Sequence, residues 1–216
     1  MENTNNGVDR RKFLKQASLA TLASGALLSW TPPLPPTAVS GLNDLNIVGP
    51  KEGFTPQVGT LVSMMNWMRF VILRPVEGMS VKDLDYLVDD KANSIGAMLY
   101  HLAATERFYQ IHTFENRAWG DWDKADAEEF GIAMGLGDNA RASIKGNPLE
   151  FYMEKLERVR ATSLEELAKR DDDWLLAVDE AWPWGPTNNY CKWFHVVEHE
   201  SNHNGQFKFI KSRLPA

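Results

Sequence analysis

The segment HVVEHESNHNGQ, residues 195–206, holds three of the five histidines of the chain. His199 and His203 stand four residues apart, so on a helix they lie about 40° apart on one face. Two imidazoles with this spacing can converge on one metal ion, and imidazole suits zinc, nickel, copper and iron. Val196 and Ile210 fall in the same sector of the helix, which predicts that the pair points into a core. The alternative is a pair of core histidines whose ring nitrogens are satisfied by hydrogen bonds alone.

The same residues spell H-E-x-x-H, the pattern of zinc proteases. In those enzymes the glutamate is a general base, and a third metal ligand usually follows downstream. Only thirteen residues follow His203, and none of them is His, Asp or Glu. Glu200 also lies about 80° around the helix from the midpoint of the two histidines. A protease is therefore the least favoured function for this motif.

A third ligand would have to come from upstream, where only His101 and His112 remain. Both fall on one predicted helix, but they lie about 16 Å apart along its axis, so one ion cannot use both. His101 sits in the middle of that helix between Met98 and Leu102, at a depth that could match the pair. His112 is close to the end of the helix and to an exit loop. We favour His101 as the third ligand, and we expect His112 to be an ordinary surface or core residue.

The composition restricts the possible partners. The chain has 216 residues and a formal charge of −6, with no basic stripe, so nothing in its electrostatics favours binding of nucleic acid. Its single cysteine, Cys191, excludes a disulfide within the chain. We expect Cys191 to be a small buried apolar residue rather than a nucleophile or a ligand.

The N-terminus has the features of an export signal. Arg10 and Arg11 precede a short apolar run, Ala17–Trp30, that is too short and too rich in small residues for a confident membrane span. Ala38–Ser40 then supplies a cleavage site, and the arginine pair resembles the twin-arginine type. We therefore expect residues 1–40 to be removed and the mature protein to be exported to the periplasm without a stable membrane anchor. The alternative is an uncleaved anchor or amphipathic helix.

The remaining chain has the pattern of an all-α protein. Residues 41–54 are rich in Pro, Gly and Asn and are expected to form a linker, followed by a bundle over residues 55–216. Apolar periodicity and capping residues predict short helices near Ser80–Leu87 and after Ser163, and an irregular loop over residues 171–185, with no strand pairs. The pattern predicts four long helices, over about residues 55–75, 91–114, 147–161 and 188–213, with Thr55 as the N-cap of the first and Asn147 as the N-cap of the third.

Two segments together resemble a known family. SIGAMLYHLAATE, residues 94–106, and HVVEHESNHNGQ, residues 195–206, are similar to the paired histidine segments of the DinB-like superfamily of metalloenzymes, in its DUF664-type branch. The resemblance spans residues 55–215. Asn204 replaces the arginine that is common in the family, at a position that we expect to face outward.

The resemblance implies a fold and a ligand set. It implies a four-helix bundle of up-down-down-up topology, often dimeric, with long connections that carry short helices. It also implies one divalent metal ion, zinc or nickel, held by His101, His199 and His203. Three protein ligands leave an open coordination position, which is the arrangement of a catalytic site rather than a structural one.

An open position on a metal ion permits activation of a thiol or water, or polarisation of a bound oxygen. Relatives in the superfamily make thiol-linked transfer to an unidentified small molecule the leading expectation, with metal-assisted hydrolysis as the competing reaction. The alternative is a non-catalytic metal-binding or interaction protein, which loops that seal the site would favour. His195, Gln206 and Glu106 are the candidates to orient a ligand or move a proton. Four tryptophans in the connections could wall the opening: Trp119, Trp122, Trp182 and Trp184.

Overall fold

The computed structural model describes residues 44–215, and the expected export signal lies outside them. The regular structure of the described residues is helical apart from two short strands, and none of the described helices is both long enough and apolar enough to cross a membrane. In chain order the elements are α1 (Pro56–Leu73), a 3-10 turn (Arg74–Val76), α2 (Val81–Leu84), α3 (Ile95–Thr113), α4 (Lys124–Gly135), α5 (Gly137–Ser143), α6 (Leu149–Leu167), α7 (Asp172–Leu176), β1 (Val178–Asp179), β2 (Thr187–Asn188) and α8 (Asn189–Lys211).

The first and last long helices run in the same direction. Arg69, in the C-terminal half of α1, forms an ion pair with Glu200 in the middle of α8. At the far end, the ammonium group of Lys211 donates a hydrogen bond to the carbonyl of Pro75, just beyond α1. Residue numbers therefore increase together along the two helices, as they must in a parallel pair.

The two middle helices, α3 and α6, are also parallel to each other. Glu106 of α3 pairs with Arg160 of α6, and one turn later the side-chain amide of Gln110 donates to the hydroxyl of Ser163. A long connection over residues 114–148 joins the end of α3 to the start of α6, and α4 in this connection packs on α3. A parallel pair needs such a crossover, because a short turn can join only antiparallel helices.

Helices α3 and α8 are antiparallel, which completes the up-down-down-up order. Met98, near the start of α3, contacts His203 in the second half of α8, whereas the indole of Trp193, near the start of α8, donates to Thr113 at the end of α3. The all-α bundle with its DinB-like topology is thus confirmed. Helix α3 packs on both α6 and α8, and its buried residues belong to both hydrophobic clusters of the core.

The start of α1 differs from the predicted cap. Thr55 occupies the N-cap position, but its side chain does not accept a hydrogen bond from the helix. Instead its hydroxyl donates to Asp172, and one carboxylate oxygen of Asp172 accepts from the backbone amides of Gln57 and Val58. A residue more than a hundred positions away therefore caps α1 and ties it to α7.

The predicted break between the third helix and a following short helix is wrong. Helix α6 is continuous through Ser163, which is fully buried. The Ser163 hydroxyl donates to the carbonyl of Val159 one turn back and accepts from Gln110 of α3, so it bonds inside the bundle rather than starting a new helix. The N-cap of α6 is Pro148, one residue later than the predicted Asn147.

The region predicted as an irregular loop holds short regular elements. Helix α7 begins after Asp171, whose side chain accepts from the amide of Trp174. Strands β1 and β2 pair antiparallel, with Val178 opposite Asn188, so the expectation of no strand pairs is also wrong. Two-residue strands are too short for alternation of polar and apolar residues to reveal them.

Two side chains of α8 point differently from expectation. Cys191 lies in the first turn and is exposed, not buried, because the next two residues, Lys192 and Trp193, occupy the buried side of the helix. Asn204 is buried, although it was expected to face outward. Since α8 contacts both α1 and α3, its buried face is wider than a single stripe.

Candidate metal centre

The antiparallel contact between α3 and α8 brings three histidines together inside the bundle. Nε2 of His101 lies 2.8 Å from Nε2 of His199, and Nε2 of His203 lies 3.2 Å from the same atom. Ring nitrogens of all three residues fall within 4.8 Å of one another. His101 and His203 are buried and His199 is half-buried, so the cluster opens on the His199 side. The other upstream candidate, His112, is not part of it.

Hydrogen bonds to the outer ring nitrogens show how these residues fit a metal ion. Nδ1 of His101 lies 2.9 Å from the carbonyl of Ala133, and a carbonyl can only accept, so Nδ1 carries the proton. Nδ1 of His203 lies 3.3 Å from the sulfur of Met98, a weak acceptor. Both residues therefore aim the lone pair of Nε2 at Nε2 of His199. One proton on Nε2 of His199 can be donated to only one of these two lone pairs. A divalent cation between the rings can instead bind the Nε2 lone pairs of all three histidines.

Burial keeps the three imidazoles in the form that binds metal. Burial, reinforced by the neighbouring histidines, lowers the pKa of His199 to about 3. Burial, followed by the charge of His101, lowers the pKa of His203 to about 4, and Gln206 opposes this shift through a hydrogen bond. Burial also lowers the pKa of His101. All three rings are thus neutral near pH 7, as ligands must be.

The glutamate of the H-E-x-x-H pattern faces away from the histidines. Glu200 is 1% exposed, and its Oε1 accepts from the guanidinium groups of Arg69, at 2.8 Å, and Arg160, at 3.1 Å. The same two arginines bind the fully buried carboxylate of Glu106, each at 2.7 Å. These four side chains, which we call the charge quartet, join α1, α3, α6 and α8. Glu200 is therefore bound by two arginines within the bundle and does not face the three histidines.

Glu106 was expected as a group that could orient a ligand or move a proton. Burial raises the pKa of Glu106, but the charges of Arg160 and Arg69 outweigh this and lower it below the ordinary value. Its carboxylate stays ionised and bound within the charge quartet. Neither arginine was predicted from the sequence, although a lone Arg69 in the apolar run MMNWMRFV is itself a signal, because arginine is rarely buried without a partner.

His195 is a proton-moving candidate that lies beside the centre. Its ring centroid is 5.3 Å from that of His199, and its Nδ1 lies 2.8 Å from the hydroxyl of Tyr109. Burial raises the pKa of Tyr109, so the phenol stays protonated and can either donate to or accept from this nitrogen. His195 is half-buried and is available at the mouth of the site. Gln206 is exposed on the same helix.

Aromatic side chains stand beside this mouth. Trp184 is 53% exposed, and its ring centroid lies 5.3 Å from that of His195. Trp182 and Trp119 follow, with centroids 5.8 Å and 6.2 Å from Trp184. Trp122 packs inward against the core instead. Three of the four tryptophans expected near the opening therefore form one surface next to His195.

Two comparisons with known proteins found a family and a similar fold. Residues 60–214 match the model of the family described as mycothiol-S-transferase. Among solved structures, the fold is similar to a conserved protein from Enterococcus faecalis, with a TM-score of 0.54 and 14% identity over 70% of this chain and 92% of that chain. At that identity the likeness concerns the fold alone. No curated protein sequence matches the chain.

Proposed function

The chain belongs to the mycothiol-S-transferase family, and we propose from this premise that it is a metal-dependent enzyme of thiol transfer. In such a reaction the sulfur of a small thiol forms a bond to an electrophilic carbon, the leaving group departs with its electron pair, and the thiol proton passes to a base. The observation that carries the proposal is the convergence of three neutral imidazole nitrogens in a bundle of this family.

His101, His199 and His203 would hold the ion through Nε2. A divalent ion such as zinc or nickel, when bound, favours the thiolate form of a thiol at its open position. The carbonyl of Ala133 and the sulfur of Met98 keep the two buried rings in the required tautomer and orientation.

His195 would receive the proton of the thiol. When its Nδ1 donates to the Tyr109 hydroxyl, Nε2 is left without a proton and can accept one at the mouth of the site. Burial lowers the pKa of His195, so the ring is neutral before the reaction, and the nearby carboxylate of Glu198, 3.7 Å from Nε2, opposes this shift and stabilises the charged form.

The experiment is a thiol-transfer assay on metal-loaded protein. Mycothiol, cysteine and glutathione are each supplied with monobromobimane, and the thioether product is measured. We expect turnover with at least one thiol, a loss of about a hundredfold or more in His203→Ala, and unchanged turnover in Ser201→Ala, an exposed position of the same helix. Thiol-independent hydrolysis of ester or amide probes, with no thioether formed, would contradict the proposal.

We further propose that residues 1–40 direct export by a twin-arginine route. Arg10 and Arg11 ahead of the apolar run support this. Fractionation of cells should find the shortened chain in the periplasm, and replacement of both arginines by lysine should leave the precursor inside. A precursor exported equally well without the arginine pair would contradict the route.

A further inference from the structure

A surface groove lies where the C-terminal parts of α1 and α8 meet, and none of the three clustered histidines lines it. Its volume is about 410 Å³, which falls within the range of small-molecule sites, roughly 300–1,000 Å³. Its lining consists of three apolar and three cationic side chains: Phe70, Val71, Pro75, Arg74, Lys208 and Lys211. The apolar residues are buried or half-buried and the cations are exposed, so the groove has an apolar floor and a positively charged rim.

The apolar floor is more than the edge of the core. Phe70 is half-buried, yet it belongs to neither hydrophobic cluster of the described residues. Val71 packs on one cluster and remains partly exposed. The guanidinium group of Arg74 lies 5.4 Å from the centroid of the Phe70 ring, so a positive charge stands beside the apolar surface. Exposed apolar surface with a polar border is typical of a ligand-binding groove.

The cations of the rim have few carboxylate partners. Within residues 44–215, Lys208 and Lys211 form no ion pair, and Arg74 has only the exposed Glu77, at 4.0 Å. The ammonium group of Lys211 donates to the carbonyl of Pro75 at 2.6 Å, which leaves two more N–H groups free to donate. The sequence segments 56–73 and 201–216 contain no Asp or Glu. A chain with a formal charge of −6 therefore has a locally positive surface at this groove.

Helix ends explain only part of this charge. A cation near the C-terminus of a helix is stabilised by the helix dipole, which places about half a unit of negative charge there. The ends of α1 and α8 together thus offset about one of the three cations, and the rest of the positive charge is available to an anion. The dipoles also give no reason for the apolar floor between the cations.

We propose that this groove binds a small amphipathic anion, with one negatively charged head on a short apolar body. The apolar body packs on Phe70 and Val71, which removes their exposed surface from water. The charged head pairs with Lys208, Lys211 and Arg74. An uncharged amphiphile leaves these cations unpaired, and a cationic amphiphile is repelled by them. The groove is separate from the histidine cluster, so the proposal does not depend on the proposed function.

The test is isothermal titration calorimetry of the purified chain with three probes of equal chain length. Octanoate carries a negative head, octanol an uncharged one, and octylamine a positive one at pH 7. We expect octanoate to bind about threefold or more tightly than either of the others. Added sodium chloride should weaken octanoate binding, because salt screens exposed charges.

Two variants and two matched controls locate the binding site. Phe70→Ser removes the ring from the floor and should weaken octanoate about tenfold. Lys208→Gln removes an exposed charge and should weaken it about threefold. Phe194→Ser alters a ring of α8 that is 46% exposed outside the groove, and Lys145→Gln alters an exposed lysine elsewhere. Both controls should bind octanoate like the wild type, and thermal unfolding confirms that each variant is folded.

The proposal is overturned if octanol or octylamine binds as tightly as octanoate, or if no probe binds. It is equally overturned if folded Phe70→Ser and Lys208→Gln both bind octanoate like the wild type. A chain that sediments with phosphatidylglycerol vesicles but does not bind free octanoate would also contradict it, because the surface would then meet a membrane.

A last variant distinguishes the groove from the metal centre. A carboxylate could also bind a metal ion at its open position, and His101→Ala removes a ligand of that ion. Octanoate binding should stay intact in His101→Ala while thiol transfer is lost. Loss of octanoate binding in this folded variant would assign the probe to the metal centre and overturn the groove.

Discussion

Glu200 carries different roles in the linear pattern and in the folded chain. The pattern H-E-x-x-H assigns it a catalytic role, yet its carboxylate is buried against Arg69 and Arg160 in the charge quartet. The helical angle of about 80° away from the histidine pair already indicated this. What the angle alone could not supply was the identity of the partners, which come from α1 and α6.

Glu200→Gln should therefore affect stability more than chemistry. Removing one partner from a buried ion pair leaves the other charge uncompensated, so we expect the free energy of unfolding to fall by about 3–5 kcal/mol. Metal content per folded chain should stay near that of the wild type. Denaturant unfolding and elemental analysis measure the two effects. A fully stable variant that has lost all activity would instead assign Glu200 the role of a catalytic base.

At the scale of elements, the sequence predicted the parts that local patterns control. The short capped helix that begins after Ser80 and the extent of α8 follow from neighbouring residues, and both are found in the structure. The continuation of α6 through Ser163 was not predicted, because Gln110, which donates to the Ser163 hydroxyl, is distant in sequence. The pair His199 and His203 was visible by spacing, whereas its match to His101 depended on how α3 and α8 cross.

The long-range cap on α1 gives a prediction at this scale. Asp172→Ala removes an oxygen that accepts from Thr55, Gln57 and Val58, so we expect a lower denaturation midpoint than in the wild type. Asp173→Ala, at the exposed neighbouring position, is the matched control and should change little. Chemical denaturation compares the two, and equal effects would reject the cap.

The close contact between α3 and α6 gives a second prediction at the scale of elements. A Cβ added at Gly96 would lie 2.7 Å from the hydroxyl and 2.8 Å from the adjacent ring carbon of Tyr152, which is itself fully buried. Gly96→Ala should therefore cost about 1–3 kcal/mol of stability through overpacking. Gly131→Ala in α4 meets nothing within 4 Å and should be neutral or stabilising by up to about 1 kcal/mol. If thermal unfolding shows both alanines stabilising, the close packing of α3 on α6 is wrong.

At the scale of the whole molecule, burial lowers the pKa of all five histidines. Between the ordinary value of 6.5 and the lowered values of about 4 and about 3, the folded chain binds fewer protons than the unfolded chain. The free energy of unfolding of the metal-free protein should therefore fall as the pH drops below about 6.5, with no such effect above pH 7. Melting temperatures from pH 8 to pH 4 measure this.

His203→Leu is the control for this acid sensitivity. It removes one of the buried histidines, so its melting temperature should fall less steeply over the same pH range. A wild-type melting temperature that stays level between pH 7 and pH 5 would show that the histidines take up protons freely in the folded state.

The central claim is that His101, His199 and His203 hold one divalent metal ion between α3 and α8. Elemental analysis of the purified chain tests it most directly, in the wild type, in His101→Ala and in His112→Phe as the control on the same helix. We predict about one ion per chain in the wild type and in His112→Phe, and a large loss in His101→Ala. Stoichiometric metal that survives unchanged in His101→Ala would contradict the three-histidine centre.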